Sequence, residues 1–340
     1  MTNLECHSVR ARLLGTLGLV AGLALVLAGT AAAKGGGFAP VAPQSPNAER
    51  IESSYWLIFG FAAAIFLLVE VALVVFILRF RSRGRGREVE GPQIRGHLKL
   101  ELAWTTVPVL ILAAIAVFVF YKLPGIKDVP KAGAAGSQLQ VSVEGRQFYW
   151  QFTYPNGVIS IDNMRVPADR PVRLEVTSPV SDVIHSWWIP ALGGKIDAIP
   201  GHPNHTWFEA AKPGVYQGQC AEFCGIQHAA MRATVEVVPA SAFDAWLSNE
   251  ARAQTEGSSD LGEQTFVGAC ANCHGSQGLG GIGPNIAGSA VVKDRKALGD
   301  LLENGGTLMP AVGKGWSTRQ TDALFSYLAK HIAGGASGGG

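Results

Sequence analysis

Two long apolar runs on either side of a basic segment constrain this chain more than any other feature. Tyr55–Leu78 carries one charge, Glu70, and Leu102–Leu123 carries only Lys122 near its end. Each is long enough to cross a bilayer as a helix. Between and beside them fall Arg79, Arg81, Arg83, Arg85, Arg87, Arg95 and Lys99. Basic loops of this kind stay in the cytoplasm, so the outer ends of both spans lie outside. Everything after residue 124 is therefore expected on the extracytoplasmic side of a bacterial cytoplasmic membrane, embedded through the hairpin in membrane lipid. A pair of buried core helices would give no reason for so basic a connection.

Hydrophobic residues make up 48% of the 340, and the excess over a soluble protein sits in these runs and a third at the N-terminus. There, Arg10 and Arg12 precede Leu13–Leu27, and Ala31-Ala32-Ala33 offers a small-residue cleavage site, so residues 1–33 read as a signal peptide. An uncleaved anchor is the alternative. Residues 34–54 begin with a Gly-, Pro- and Ala-rich stretch expected to be mobile. The net charge of +2 gives no field of the kind that gathers nucleic acid.

Downstream the organisation changes. Residues 124–138 read as a linker. From 139 to 240, Leu139, Val141 and Val143 alternate with polar residues, as do Val172, Leu174 and Val176, then Val235 and Val237. This is the pattern of half-buried strands, punctuated by Pro and Gly as in a small all-β barrel or sandwich. Residues 241–259 are polar and helix-prone, a second linker. Residues 260–333 form a compact all-α unit ending in an amphipathic helix over Thr318–Ile332. The Gly-rich tail 334–340 is expected to be disordered.

Of the five cysteines, Cys6 lies in the signal segment and the others form two close pairs, C-x-x-x-C and C-x-x-C. Such spacings fit metal or haem attachment better than a dispersed disulfide framework. Q-C-A-E-F-C-G-I-Q-H-A-A-M places Cys220, Cys224, His228 and Met231 in one segment, and His185 stands upstream in S-D-V-I-H-S-W-W. Two thiolates, two imidazoles and a thioether suit copper. A single-copper blue site needs one cysteine; two let both sulfurs bridge a pair of metals. A Cys220–Cys224 disulfide, a structural zinc site and an ordinary buried histidine at His185 are the competing readings, and the disulfide and zinc readings leave Met231 unused.

C-A-N-C-H supplies Cys270, Cys273 and His274, a c-type haem attachment signal in which the thiols bond the haem and the histidine ligates iron. The thioredoxin-like decoy would need a βαβ setting, which this sequence lacks. Met309, in G-T-L-M-P-A, is the candidate sixth ligand; His/Met ligation favours electron transfer over oxygen binding.

Over residues 51–240 the chain resembles subunit II of cytochrome c oxidase. V-I-H-S-W-W-I-P-A-L-G-G-K-I-D-A-I-P-G and P-G-V-Y-Q-G-Q-C-A-E-F-C-G-I-Q-H-A-A-M are similar to that family's Cu-A domain, a cupredoxin-like barrel. The resemblance implies that His185, Cys220, Cys224, His228 and Met231 hold a binuclear Cu-A copper centre. It implies that the Glu222 carbonyl is a weak ligand, with the Glu222 carboxylate facing a magnesium shared with subunit I. E-L-A-W-T-T-V-P, starting at Glu101, is similar to the family's E-x-x-W-T-x-x-P and implies that Glu101 stands at the mouth of a proton channel. A plain interfacial acid is the alternative. R-Q-F-Y-W-Q-F-T-Y resembles the aromatic segment that receives electrons, giving Phe148, Tyr149 and Trp150 as electron-path candidates. Many relatives have Trp at the position of Phe148 and are more acidic just after it. Both departures argue against capture of a basic soluble cytochrome there.

Residues 260–333 resemble a class I cytochrome c. G-E-Q-T-F and A-L-F-S-Y-L are similar to its crossing terminal helices, and G-I-G-P-N-I-A-G to the loop behind its proximal histidine. Asp260, Glu263, Asp294, Asp300, Glu303 and Asp322 balance Lys293, Arg295, Lys296, Lys314, Arg319 and Lys330, so the unit has no formal charge. Together these resemblances imply a multidomain membrane protein: a two-helix transmembrane hairpin, a cupredoxin-like barrel and a cytochrome c domain, as in subunit II of caa-type haem-copper oxidases. The implied partners are oxidase subunits I and III and an external donor, cytochrome c or a cytochrome bc complex. A nitric oxide reductase subunit with the same copper module, and a membrane-anchored copper chaperone, are the alternative functions.

Overall fold

The computed structural model describes residues 39–80, 93, 95–129 and 138–333. The expected signal peptide, most of the basic segment, residues 130–137 of the first linker and the tail lie outside the described residues.

Helix α1 spans Pro46–Phe80 and α2 spans Leu98–Lys127. They pack side by side and turn large apolar side chains outward, Leu68, Ile77 and Phe120 among them. Such a surface is stable in hydrocarbon, where helices satisfy their own backbone. Both helices overrun the spans read from hydropathy. Pro46 sits at the first helical position, where its missing N–H is no loss. Residues 45–48, the end of the stretch expected to be mobile, are instead pinned: Asn47 Nδ2 donates to the Trp207 carbonyl at 2.6 Å. The first linker likewise starts as helix, continuing through Pro124 to Lys127, because Trp207 Nε1 donates to the Ile126 carbonyl at 3.1 Å. One tryptophan of the β-domain thus ties the outer ends of both helices. Hydropathy ends a span where polarity begins, and so it misses turns held by contacts beyond the bilayer.

Ten strands follow: β1 Leu139–Arg146, β2 Tyr149–Thr153, β3 Ile159–Ile161, β4 Asn163–Pro167, β5 Val172–Thr177, β6 His185–Trp188, β7 Ile196–Ala198, β8 Asn204–Phe208, β9 Gly214–Cys220 and β10 Arg232–Val238. They form two five-stranded sheets, ordered β3-β2-β1-β5-β8 and β4-β10-β9-β6-β7. The β1–β5 and β4–β10 pairs are parallel. The alternating residues Val141, Val143, Leu174, Val176, Val235 and Val237 point inward and are buried in one core, as period-two patterning requires.

Helix α3, Ala240–Glu256, occupies the stretch read as a second linker. It is helical but not a free tether. Phe243 is buried in the β-core, with Trp246 and Leu247 packed against it. Gln254, also buried, accepts from the Ile159 N–H at 3.1 Å and donates to the Ile159 carbonyl at 2.6 Å. The apolar side chains are too few and too widely spaced to read as a core face in sequence.

The C-terminal unit begins with α4, Leu261–Thr265, which runs on through a π-helical turn, Phe266–Ala271, to a short turn at Asn272–His274. Helices α5, Arg295–Asn304, and α6, Thr318–Tyr327, complete it. Helix α4 crosses α6 at Gly262, where a Cβ would lie 2.2 Å from the Ala323 carbonyl oxygen. Only glycine allows that approach. The Phe266 and Tyr327 rings pack beside it, 5.4 Å between centroids.

Candidate metal centres

Strand β6 carries His185 at its start, β9 delivers Cys220 at its end, and the following loop carries Cys224, His228 and Met231. The two sheet ends meet because β6 and β9 pair, with Trp187 opposite Cys220. The side chains converge. Cys220 Sγ lies 3.9 Å from Cys224 Sγ and 3.9 Å from His185 Nδ1. Cys224 Sγ lies 3.6 Å from His228 Nδ1 and 3.7 Å from Met231 Sδ. The Glu222 carbonyl turns inward, 3.2 Å from Cys220 Sγ, and Glu222 is otherwise exposed.

The sulfurs are far beyond the roughly 2.05 Å of a disulfide, and both cysteines are free. Their proximity has an electrostatic consequence. The hydrogen bond from Cys224 draws the Cys220 thiol well below its ordinary value, while the same contact and burial push Cys224 up. Two thiolates this close are jointly stable only with positive charge beside them. Two soft thiolates, two imidazoles and a thioether are the donor set for copper rather than zinc, so the residues present fit a copper pair.

Sequence reasoning missed Asp182. Its Oδ1 lies 3.3 Å from His185 Nε2, leaving Nδ1 to face the sulfurs, and its Oδ2 accepts from the Gln147 N–H at 3.1 Å. Burial lowers the His185 pKa, but Asp182 and Cys220 outweigh it and hold the group above its ordinary value. A carboxylate behind a ligating histidine fixes the ring's orientation and tautomer. The signal available in sequence was only its place three residues before His185.

The second centre is a cavity of about 650 Å³ whose wall includes Cys270, Cys273, His274 and Met309. Its size is in the range of cofactor pockets. His274 Nδ1 lies 2.8 Å from the Pro284 carbonyl, an arrangement that frees the other ring nitrogen for a metal. The loop read as buttressing the histidine does lie behind it. Burial pushes the Cys270 thiol up to about 12, the behaviour of a thiol in an apolar lining. The residues present therefore fit a covalently held haem.

The aromatic triplet divides between the two centres. Strand alternation in β2 sends Tyr149 and Trp150 to opposite sides, and Phe148 stands in the turn just before the strand. Trp150 is buried with its ring 6.1 Å from that of His185. Phe148 lines the C-terminal cavity. Tyr149, with Ile159 and Ile161, joins the hydrophobic core of the C-terminal unit. Glu101 stands apart in the first turn of α2, its Oε1 accepting the His97 N–H at 3.0 Å.

Three family descriptions match the chain: "Cytochrome C oxidase subunit II, transmembrane domain" over residues 35–121, "Cytochrome C oxidase subunit II, periplasmic domain" over 157–238, and "Cytochrome C oxidase, cbb3-type, subunit III" over 258–328. Cytochrome c oxidase subunit 2 of Alkalihalophilus pseudofirmus is 32% identical over 320 residues, covering 84% of this chain and 88% of that protein. The same subunit of Cereibacter sphaeroides is 33% identical, covering 68% and 89%. The solved periplasmic domain of subunit II from Bradyrhizobium japonicum is 37% identical over 36% of this chain and 97% of its own, with a TM-score of 0.33. The subunit II matches imply a Cu-A copper site, and the C-terminal match implies haem c. A membrane hairpin, a periplasmic sandwich carrying a sulfur-rich metal centre and an attached haem-binding unit come together in one lineage: this chain belongs to the cytochrome c oxidase subunit II family, with a cytochrome c domain fused at its C-terminus.

Proposed function

We propose that this chain is the electron-transfer subunit of an oxygen-reducing respiratory oxidase in the bacterial inner membrane. Electrons are accepted at the cytochrome domain, passed to the copper domain, and delivered to subunit I, where oxygen becomes water. The observation that carries this reading is the convergence of His185, Cys220, Cys224, His228 and Met231 within hydrogen-bonding distances of one another, directly beside a second cofactor cavity.

When bound, a copper pair held by His185, Cys220, Cys224, His228 and Met231 would supply a delocalised one-electron carrier, and a haem c held by Cys270, Cys273, His274 and Met309 would supply a second. The chain's own residues do the rest. Cys220 and Cys224 would hold the copper pair through their sulfurs, 3.9 Å apart. Asp182 orients His185. Pro284 orients His274 in the cavity whose wall Met309 shares. Burial of Cys220, Cys224, Met231 and His185 excludes water and limits reorganisation.

Two further assignments belong to this reading. Glu222 presents its carbonyl to the sulfurs and its carboxylate outward, the disposition needed for a magnesium shared with subunit I. Glu101, half-buried at the start of α2, would take up protons at the mouth of a channel into subunit I. Subunit III and an external cytochrome or cytochrome bc complex are the remaining partners.

The test is spectroscopic and functional. The purified complex should show a near-infrared mixed-valence copper band, a haem-stained band on denaturing gels at this chain's mass, and cyanide-sensitive oxygen uptake. A complex that reduces oxygen with this chain free of both copper and haem would overturn the reading.

A further inference from the structure

The outer edge of β3 is where the sandwich receives the cytochrome domain. β3 ends its sheet, with β2 on one side only. A bare edge strand offers unpaired N–H and C=O groups to any strand that meets it. Here side-chain amides fill the edge. Gln254 of α3 accepts from the Ile159 N–H at 3.1 Å and donates to the Ile159 carbonyl at 2.6 Å, and Gln264 of α4 accepts from the Ile161 N–H at 3.1 Å. The two glutamines stand where a neighbouring strand would. The side chains of Ile159 and Ile161 pack into the cytochrome core.

Asp162 follows directly, where the chain turns from β3 into β4 with a positive φ of 57°. Its backbone is fixed twice: its N–H donates to the Trp150 carbonyl and its carbonyl accepts the Thr234 N–H, each at 2.8 Å. Its Oδ1 accepts the Trp150 N–H at 2.7 Å. Its Oδ2 faces the cytochrome domain. A Cβ on Gly268 would lie 2.8 Å from that oxygen, so only glycine lets the π-helical turn come this close. Among the described residues no ion pair reaches Asp162. The ionisable groups on the elements packed around it are Tyr149 on β2, Arg165 on β4, Arg232 and Glu236 on β10, Glu263 on α4 and Cys270 on the π-helical turn. None of them offsets the burial that raises its pKa; only the Trp150 amide opposes it. An ionised carboxylate closed under this turn without a cation is costly, and a protonated one carries far less of that cost.

We propose that a proton on Asp162 latches the cytochrome domain onto the β3 edge, so that docking tightens as the extracytoplasmic side turns acidic and loosens as it turns alkaline. The inference concerns where the domain sits and does not depend on the electron route. Docking takes one proton from water onto the carboxylate, and undocking returns it; no other bond changes. In the docked state burial raises the carboxyl from 3.8 to about 7, and in water it falls back to the ordinary carboxylate range. A group raised in this way stabilises the docked state at low pH, and that contribution is lost as pH climbs through about 7. Other bonds across the junction come from groups that hold one charge state over this range. Arg146 Nη1 donates to the Lys314 carbonyl at 2.7 Å, Gln227 Nε2 to the Asn272 carbonyl at 3.0 Å, and Gln320 Nε2 to Gln151 Oε1 at 3.1 Å.

The experiment uses the full oxidase complex. Amide hydrogen exchange is followed by mass spectrometry between about pH 5 and pH 8 and read as protection relative to the chemical exchange rate at each pH. The Ile159 and Ile161 amides report the latch directly, because their partners are side chains of α3 and α4. In wild type, peptides spanning β3 should lose roughly 10- to 50-fold of their protection between about pH 5 and pH 7, while peptides of β1 and β5 keep theirs. Asp162→Asn retains an acceptor for the Trp150 N–H and should hold β3 protection level across the range. Gln264→Ala removes only the Ile161 cap and should lower β3 protection at every pH with the wild-type slope. The near-infrared copper band and the attached haem confirm the fold of each variant. A level wild-type profile overturns the proposal whatever the variants do. Loss in β1 and β5 that parallels β3 also overturns it, since the opening is then global. So does a wild-type slope in Asp162→Asn, which would give the proton to another group, such as a haem propionate.

Discussion

Trp316 of the cytochrome domain donates its indole N–H to the Tyr149 hydroxyl of the copper domain at 2.8 Å, and that hydroxyl donates onward to the Val312 carbonyl at 2.9 Å. Tyr149 is fully buried, and burial drives its phenol well above the ordinary range, so it stays a neutral donor at any working pH. Tyr149→Phe leaves the Trp316 N–H and the Val312 carbonyl without this partner. The expected loss is about 1–3 kcal/mol at the junction, read as earlier thermal release and faster proteolysis between the domains, with haem still attached. A melting profile identical to wild type would contradict the role given to this bond.

The copper centre depends on both sulfurs. Cys220→Ser and Cys224→Ser should each abolish the near-infrared band and turnover while the haem-stained gel band persists. Asp182→Asn should keep the band but weaken copper retention by about 10- to 100-fold, measured by competition with a chelator. Unchanged retention would remove Asp182 from the support of His185.

Met309 shares a cavity wall with His274. Met309→Leu should leave the haem covalently bound and lower its potential, because thioether ligation raises it. Redox titration of the isolated complex reads the shift, and a potential equal to wild type would point to another sixth ligand.

Asp162 lies at the junction with its Oδ1 accepting the Trp150 N–H at 2.7 Å. Burial raises its carboxyl from 3.8 to about 7, against the opposing pull of that amide. A carboxyl raised on folding favours the protonated folded state. Its contribution is full below pH 3.8 and is lost as pH climbs through about 7. Asp162→Asn keeps the acceptor and tolerates the positive φ of 57°. Its thermal stability should fall less steeply than that of wild type between about pH 5 and pH 7. Parallel curves would show that Asp162 does not titrate there.

The basic segment fixes the hairpin's orientation. A reporter fused after Arg87 should be active only in the cytoplasm, and one fused after Gly257 only outside. The opposite pattern would place the copper side chains in the reducing compartment.

The sequence by itself determined whatever is local or periodic. Hydropathy marked the two helices, alternation marked the buried faces of β1, β5 and β10, and the spacing of Cys220, Cys224, His228 and Met231 gathered copper-type ligands into one short segment. C-A-N-C-H likewise carries its chemistry in five adjacent residues. Long-range contacts leave no such mark. That Asp182 stands behind His185, that Trp207 anchors both helices, and that α3 is a docked brace and not a tether all follow from side chains meeting across distant segments. Phe148, Tyr149 and Trp150 could be read as one aromatic group. Only the tertiary structure decided that Trp150 lies beside His185, that Tyr149 joins the cytochrome core, and that Phe148, in the turn before β2, lines the C-terminal cavity. The reason is physical: which neighbour a buried face meets is set by how sheets and helices pack, and that packing is fixed by the whole chain at once.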